Sequence, residues 1–244
     1  GGSCLPGGGL FRRRGEKEKE KAARKEAIDL EDGDVRAERE RVVGGGDAMG
    51  EAARFHNLHK RFAPRGREVV GKVAVRDLCL GIHEGECFAL LGTNGAGKTT
   101  SLSVLLRRVG ATQGRVFIQG SDMSHRSAEQ LLSSVGFCPQ ANALFDELTG
   151  REVLRFYASV RGVPAKFLDD YVSSWSDRVG LADHIDRPCG KYSGGNKRKL
   201  SLAVAFVGDP RLSVLDEPSA GLDPAARRAM WRVIAEARTG HGGG

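Results

Sequence analysis

Residues Gly92-Thr-Asn94-Gly95-Ala96-Gly97-Lys98-Thr99 fit the pattern G-x-x-x-x-G-K-[ST]. They follow the apolar run Cys87–Leu91 and precede a helix-like stretch that begins with Lys98, Thr99 and Thr100. Strand, glycine-rich turn and helix in that order make an anion cradle. The glycines let successive backbone N–H groups turn inward, and the helix N-terminus adds partial positive charge. Lys98 can reach the β- and γ-phosphates of a nucleotide, and the Thr99 hydroxyl can ligate Mg²⁺. An ordinary glycine turn with a stray lysine is the bland alternative, and the flanking strand and helix signals argue against it.

A second group of chemically able residues lies far along the chain. Leu212-Ser-Val-Leu is an apolar run that ends in Asp216-Glu217. Acids at the carboxyl end of a parallel strand face the ligand crevice of an α/β sheet. There Asp216 can hold Mg²⁺ through water, and Glu217 can orient and deprotonate an attacking water. Taken alone, two acids ending a strand are weak evidence; combined with the phosphate loop they point to nucleotide hydrolysis. Ser213 is out of place in a strand expected to be buried on both faces.

The elements that must carry these residues alternate. Val73–Val75, Leu78–Ile82, Cys87–Leu91, Val116–Ile118, Val135–Cys138 and Leu212–Leu215 read as strands. Helical periodicity falls near 98–108, 127–134, 150–161, 166–179, 195–207 and 225–238. Thr149 followed by Glu152 is a capping-box signature for the helix from Gly150. The alternation predicts an α/β fold with a largely parallel sheet. Residues 141–190 lack strand signals and read as a helical insertion. Residues 1–50 are rich in charge and Gly, and read as a linker, either disordered or a solvated helix. The folded domain is then expected over 51–244.

Of the net charge of +7, residues 1–46 carry +1, leaving a mild basic excess on the remainder. That suits a phosphorylated ligand or an anionic membrane surface, and without interleaved aromatics it gives no case for nucleic acid. No run of 18 apolar residues occurs, and Arg12-Arg13-Arg14 precede no apolar stretch of a secretory signal. The five cysteines are scattered and unpatterned, as expected of reduced thiols. His56 and His59 form H-x-x-H on a strand, where alternation puts them on opposite faces and disfavours a metal pair.

Tyr192-Ser193-Gly194-Gly195-Asn196-Lys-Arg-Lys-Leu-Ser resembles the signature motif of ATP-binding cassette proteins, in the spelling of the A subfamily of lipid exporters. Gly136-Phe-Cys-Pro-Gln140 is similar to the family's Q-loop, and Asp146-Glu-Leu-Thr-Gly-Arg-Glu-Val and Arg161-Gly-Val-Pro164 to its helical subdomain. Asp216-Glu-Pro-Ser-Ala-Gly-Leu-Asp223-Pro resembles the catalytic-acid segment running into the D-loop, and Asp34-Val-Arg-Ala-Glu-Arg-Glu-Arg-Val the lead-in to a second cassette. The resemblance spans residues 34–244.

It implies a P-loop NTPase of the ABC type: a RecA-like core sheet, an antiparallel β subdomain and a helical subdomain over about 141–190. It implies ATP and Mg²⁺ as cofactors. Gly92, Asn94, Gly95, Ala96, Gly97, Lys98, Thr99 and Thr100 would bind nucleotide. Thr99, Gln140 and Asp216 would hold the metal, with Glu217 and Gln140 catalytic. Phe62 would stack on adenine, with plain strand packing as its alternative. Ser193, Gly194 and Gly195 would face the ATP of a partner cassette, although by themselves they read as a helix N-cap. Asp223 would contact the opposite site. The implied partners are a second cassette and transmembrane domains, with no nucleic acid. The implied location is the cytoplasmic face of a membrane.

The family's switch histidine lies on a further strand. His241 falls in a terminal Gly run and is not assigned to that role. The chain is accordingly expected to lack the C-terminal strands of the fold; were it complete, poor stability and weak hydrolysis would follow. The leading expectation is an ATPase module powering transmembrane transport, with a lipid as the implied cargo. The alternatives are a nucleotide-binding regulatory module with little turnover, and a soluble ABC-type factor. The latter calls for two cassettes or a strongly basic arm, neither of which the sequence carries.

Overall fold

The computed structural model describes residues 32–45, 50–64, 71–127, 130 and 133–239. The chain divides into two units, Gly1–Gly46 and Asp47–Gly244. In the first, helix α1 (Gly33–Val43) forms where the sequence pattern favoured a linker. Its side chains are mostly charged, and Glu38 and Arg41, one turn apart, pair through two hydrogen bonds of 2.8 Å.

The second unit opens with an antiparallel sheet. Strands β1 (Glu51–Arg61), β2 (Val73–His83), β3 (Gln113–Ile118) and β4 (Ser121–Asp122) run in the order β2-β1-β3-β4. Phe55, Leu58, Val75, Val116 and Ile118 form one apolar layer. Helix α2 (Lys98–Leu105) covers it with Val104 and Leu105. The two short strands expected at 73–75 and 78–82 are one strand, β2, with Asp77 at φ 50° between them. β1 is likewise irregular, with Asn57 at φ 49° between His56 and His59. The simple alternation used to place those histidines on opposite faces is therefore interrupted. His59 Nδ1 stands 3.6 Å from the buried Asp77 carboxylate.

Strands β5 (Val135–Cys138) and β6 (Leu212–Leu215) pair in parallel with Val135 opposite Leu212 and Cys138 opposite Leu215. Helices α3 (Gly150–Val160), α4 (Leu168–Arg178) and α5 (Gly194–Phe206) share a second core. α3 begins where the capping box set it: the Glu152 amide donates to Thr149 Oγ1 at 3.2 Å, and the Thr149 amide to Glu152 Oε2 at 2.8 Å. Val153, Leu154 and Ala158 form its apolar stripe, facing Val172 and Trp175 of α4 and Leu200 and Phe206 of α5. Trp175 and Phe206 stack at 6.1 Å between ring centroids. Helix α6 (Pro224–Thr239) adds Met230, Val233 and Ile234 to the same core.

Two expectations need correction. The sheet is not largely parallel: the one parallel ladder among the described residues is β5–β6, and the other pairings are antiparallel. Cys87–Leu91 does not form a strand, and Leu91 is 88% exposed. A β conformation persists where a neighbour takes up its N–H and C=O groups. No described strand lies alongside 87–91 to do so. Half of the helix expected over 127–134 falls outside the described residues, as does His241, while Gln130, Ser133 and Ser134 are helical.

Candidate functional site

The phosphate loop follows from two backbone conformations and one close approach. Gly95 and Gly97 have φ of 87° and 95°, a region that side chains avoid. At Gly97, a Cβ would also collide with the Ala74 carbonyl of β2. Gly97 therefore lets the loop press onto the sheet and start α2, with the Ser101 amide donating to its carbonyl at 2.8 Å. The Lys98 ammonium folds back over the turn, donating to the Gly92 carbonyl at 2.5 Å and to Thr93 at 3.0 Å. The loop thus curls around the head of its own lysine. Residues 92–96 and Thr99 are exposed, with Thr100 half-buried behind them.

The two acids sit just beyond β6. The Asp216 amide donates to the Cys138 carbonyl at 2.9 Å, extending the parallel ladder past both strand ends. Two residues past each strand, the chains project Gln140 and Glu217, and Gln140 Nε2 donates to Glu217 Oε2 at 2.9 Å. Glu217 adopts φ 46°, an unfavourable conformation for a residue with a Cβ. Strain of that kind persists only where surrounding contacts hold it. Beneath the pair, Cys138 is fully buried, and burial pushes its thiol up to about 11. It is a packing residue with no thiolate at neutral pH.

Ser213 has a structural explanation. Its hydroxyl donates to the Ala205 carbonyl of α5 at 3.4 Å. Its register partner Gly136 approaches the same carbonyl so closely that a Cβ would clash. The small pair lets α5 lie directly on the β5–β6 ladder.

Ser193 caps α5, its Oγ accepting from the Asn196 amide at 3.2 Å. Gly194 and Gly195 open the helix, and Tyr192 anchors it from behind: its buried hydroxyl donates to the His184 carbonyl at 2.7 Å. Asp223 caps α6 in the same manner, Oδ1 accepting from Ala225 at 2.8 Å and Ala226 at 2.9 Å. Those bonds hold its carboxyl below the usual value. Phe62, at the end of β1, is 40% exposed, with the Lys60 ammonium 4.9 Å from its ring centroid.

The family model "ABC transporter" matches residues 75–220, from β2 through the phosphate loop and signature to the turn after Glu217. The chain belongs to the ABC transporter family. It is an ABC-type ATP-binding cassette, and ATP is the nucleotide such cassettes bind. Among curated relatives, human phospholipid-transporting ATPase ABCA7 is 46% identical over 84% of this chain. Human retinal-specific phospholipid-transporting ATPase ABCA4 is 44% identical over 86%. Rat ATP-binding cassette sub-family A member 2 is 44% identical over 84%. The chain spans only 9%, 9% and 8% of those proteins' lengths. Among solved structures, the ATP-binding subunit of an ABC transporter superposes with a TM-score of 0.68 at 25% identity, covering 78% of this chain and 75% of that one. A dimeric bacterial ABC transporter cassette gives 0.70 at 20% identity, covering 78% and 84%, which speaks to fold alone.

One residue of the cassette escaped the motif reading. Arg198 lies inside the signature helix α5 and is only 3% exposed. Its guanidinium donates to the carbonyls of Pro139, Gln140, Asp216, Glu217 and Pro218. The sequence carried a faint signal for it. Positions 198, 201, 202 and 205 share one helical face, and Leu202 and Ala205 mark that face as buried. In the sequence it stands between Lys197 and Lys199, with nothing nearby in the chain to mark it off from them.

Proposed function

We propose that this cassette binds Mg²⁺–ATP at the loop Gly92–Thr99 and hydrolyses it, and that its cycle powers membrane transport with a lipid as cargo. The observation that carries the hydrolytic reading is the meeting of Gln140 and Glu217 at 2.9 Å, where two parallel strands end. The loop amides from Gly92 to Gly97 and the N-terminus of α2 would receive the phosphates, and Lys98 would turn from its own carbonyls to the β- and γ-oxygens. Thr99, Asp216 and Gln140 offer a hydroxyl, a carboxylate and an amide oxygen. These hard oxygen donors fit Mg²⁺ held jointly by protein, phosphate and water. No cluster of three or more His, Cys, Asp or Glu occurs among the described residues. A magnesium ion bound there would neutralise charge building up on the phosphates. Since Gln140 gives its NH₂ to Glu217, its carbonyl oxygen is the group available to the metal. Glu217 would orient the attacking water and take its proton. Phe62 would stack on the adenine.

The A-subfamily relatives named as phospholipid-transporting ATPases support a lipid cargo. Among the described residues, no helix is long and apolar enough to cross a membrane. Transmembrane domains and a second cassette are the proposed partners, and the cytoplasmic face of a membrane the proposed location, with residues 51–244 as the cassette and 1–50 as its lead-in. Ser193, Gly194, Gly195 and Asp223 would reach the partner's nucleotide once two cassettes close.

The test is nucleotide binding and phosphate release by the purified chain, with and without Mg²⁺. Lys98→Ala should weaken ATP binding by at least about 10-fold, and Glu217→Gln should retain binding while losing turnover. A Lys98→Ala variant that binds ATP as tightly as the parent would refute the reading.

A further inference from the structure

We infer that Arg198 is a positioning residue for hydrolysis, acting through the Gln140–Glu217 pair; the inference rests on the ATPase reading above. Gln140 and Glu217 come from segments 77 residues apart in sequence. Each sits on a turn after its strand has ended, where ladder hydrogen bonds no longer fix it. Something must hold the two turns in register, and the planar guanidinium of Arg198 does so.

Its three nitrogens divide the work. Nη2 donates to the Asp216 carbonyl at 2.8 Å and the Glu217 carbonyl at 2.6 Å. Nη1 donates to the carbonyls of Pro139 and of Gln140, the latter at 3.2 Å. Nε donates to the Pro218 carbonyl at 2.8 Å. One rigid fork thus grips the main chain on both sides of the side-chain contact. Its partners are carbonyls throughout, so a buried cation is neutralised by dipoles that belong to the catalytic turns themselves. The grip also accounts for Glu217 at φ 46°: two of the five bonds fall on the carbonyls of Glu217 and Pro218, fixing the strained turn. A lysine has the charge but not the fork, and cannot reach both turns in one plane. Because Arg198 arises from the helix that Ser193 and Gly194 open, movement of that helix moves the pair it holds.

None of these hydrogen bonds reaches Gly92–Thr99, so nucleotide affinity and pair geometry are separable. In the full 244-residue chain, Arg198→Lys and Arg198→Gln are compared with the parent in three measurements. These are the thermal melt, the ATP dissociation constant with kcat and KM, and the NMR resonance of the Gln140 side-chain amide, assigned by its loss in Gln140→Ala. The expected result is a cooperative melt, an ATP affinity within about 3-fold of the parent, and kcat lowered on the order of 10- to 100-fold. The Gln140 amide should move to the position of an unpaired solvated glutamine. In the Gln140→Ala background, Arg198→Lys should cost much less than it does in the parent.

An unchanged Gln140 amide, an equal loss of kcat in both backgrounds, or a loss of ATP affinity matching that of kcat would overturn the inference. So would failure of both variants to melt cooperatively, which would make Arg198 a residue of the fold alone. A parent that folds but releases no phosphate fails the ATPase reading separately, and the amide resonance still decides whether Arg198 sets the pair.

Discussion

Gln140 Nε2 donates to Glu217 Oε2 at 2.9 Å across the carboxyl ends of β5 and β6. The contact joins the residue expected to hold the metal to the residue expected to activate water. A base already held by a neutral donor has less freedom to lose when the reaction geometry forms. The two residues should therefore behave as a unit. Glu217→Gln is expected to lower kcat by roughly 10²–10⁴-fold. Gln140→Ala is expected to lower it by about 10-fold, and the double variant by little more than Glu217→Gln alone. Steady-state phosphate release from the four proteins checks this; strict multiplication of the two single effects would contradict it.

The contact between α5 and the parallel ladder gives a stability prediction. Gly136 and Ser213 are register partners, and both meet the Ala205 carbonyl. Gly136→Ala must push the helix off the ladder, and is expected to cost about 1–3 kcal/mol or more. Ser213→Ala loses one long hydrogen bond and leaves the spacing intact, so its cost should stay near 1 kcal/mol or below. Denaturant unfolding of both variants measures the difference, and the reverse order would show that the hydroxyl, not the spacing, holds the helix.

The local geometry of the candidate site was legible in the sequence because it depends on short-range patterns. Gly92–Thr99 required only glycines at turn positions, a lysine and a following helix. The Thr149–Glu152 box placed the start of α3 on the observed residue. What lay beyond reach was whatever a distant partner decides. Cys87–Leu91 has the apolar content of a strand but is unpaired and exposed among the described residues. Ser213 looked like a defect until the Ala205 carbonyl stood beside it. Arg198 was not singled out because the five carbonyls that take up its donors come from two remote segments. Alternation on β1 misled for a related reason: a bulge at Asn57 breaks the period on which the reading of His56 and His59 depended.

Phe62 gives a prediction about affinity. It stands at the end of β1 with 40% of its surface exposed, and Lys60 lies over its ring. An exposed ring beside a cation is well placed for a flat base. Phe62→Ala should weaken ATP binding by about 2- to 13-fold, the range that about 0.5–1.5 kcal/mol of aromatic stacking supplies. Phe62→Tyr should retain it, and kcat at saturating ATP should hold in both. Titration with a fluorescent ATP analogue tests this, and an unchanged dissociation constant for Phe62→Ala would return the ring to plain strand packing.

The two capping carboxylates predict how stability depends on pH. The Thr149 amide and hydroxyl hold the Glu152 carboxyl below its ordinary value of 4.5. The amides of Ala226 and Ala225 do the same to Asp223, whose ordinary value is 3.8. A carboxyl whose folded value lies below its unfolded one stabilises the fold in its ionised form. That contribution is complete above the unfolded value and fades as pH falls through the folded one. The melting temperature should therefore be flat from neutrality to about pH 5 and decline below that. In Asp223→Asn the cap keeps an acceptor oxygen but not the charge. The variant should melt between the parent and Asp223→Ala at pH 7, and the parent should converge on Asp223→Asn as pH falls below the ordinary carboxyl value of 3.8, with Asp223→Ala, which has no acceptor, below both. Convergence would tie Asp223 to the N-terminus of α6 in the isolated cassette. If Asp223→Ala instead left the melt unchanged at pH 7 and lowered only turnover of paired cassettes, the carboxylate would serve the partner's site and not the helix.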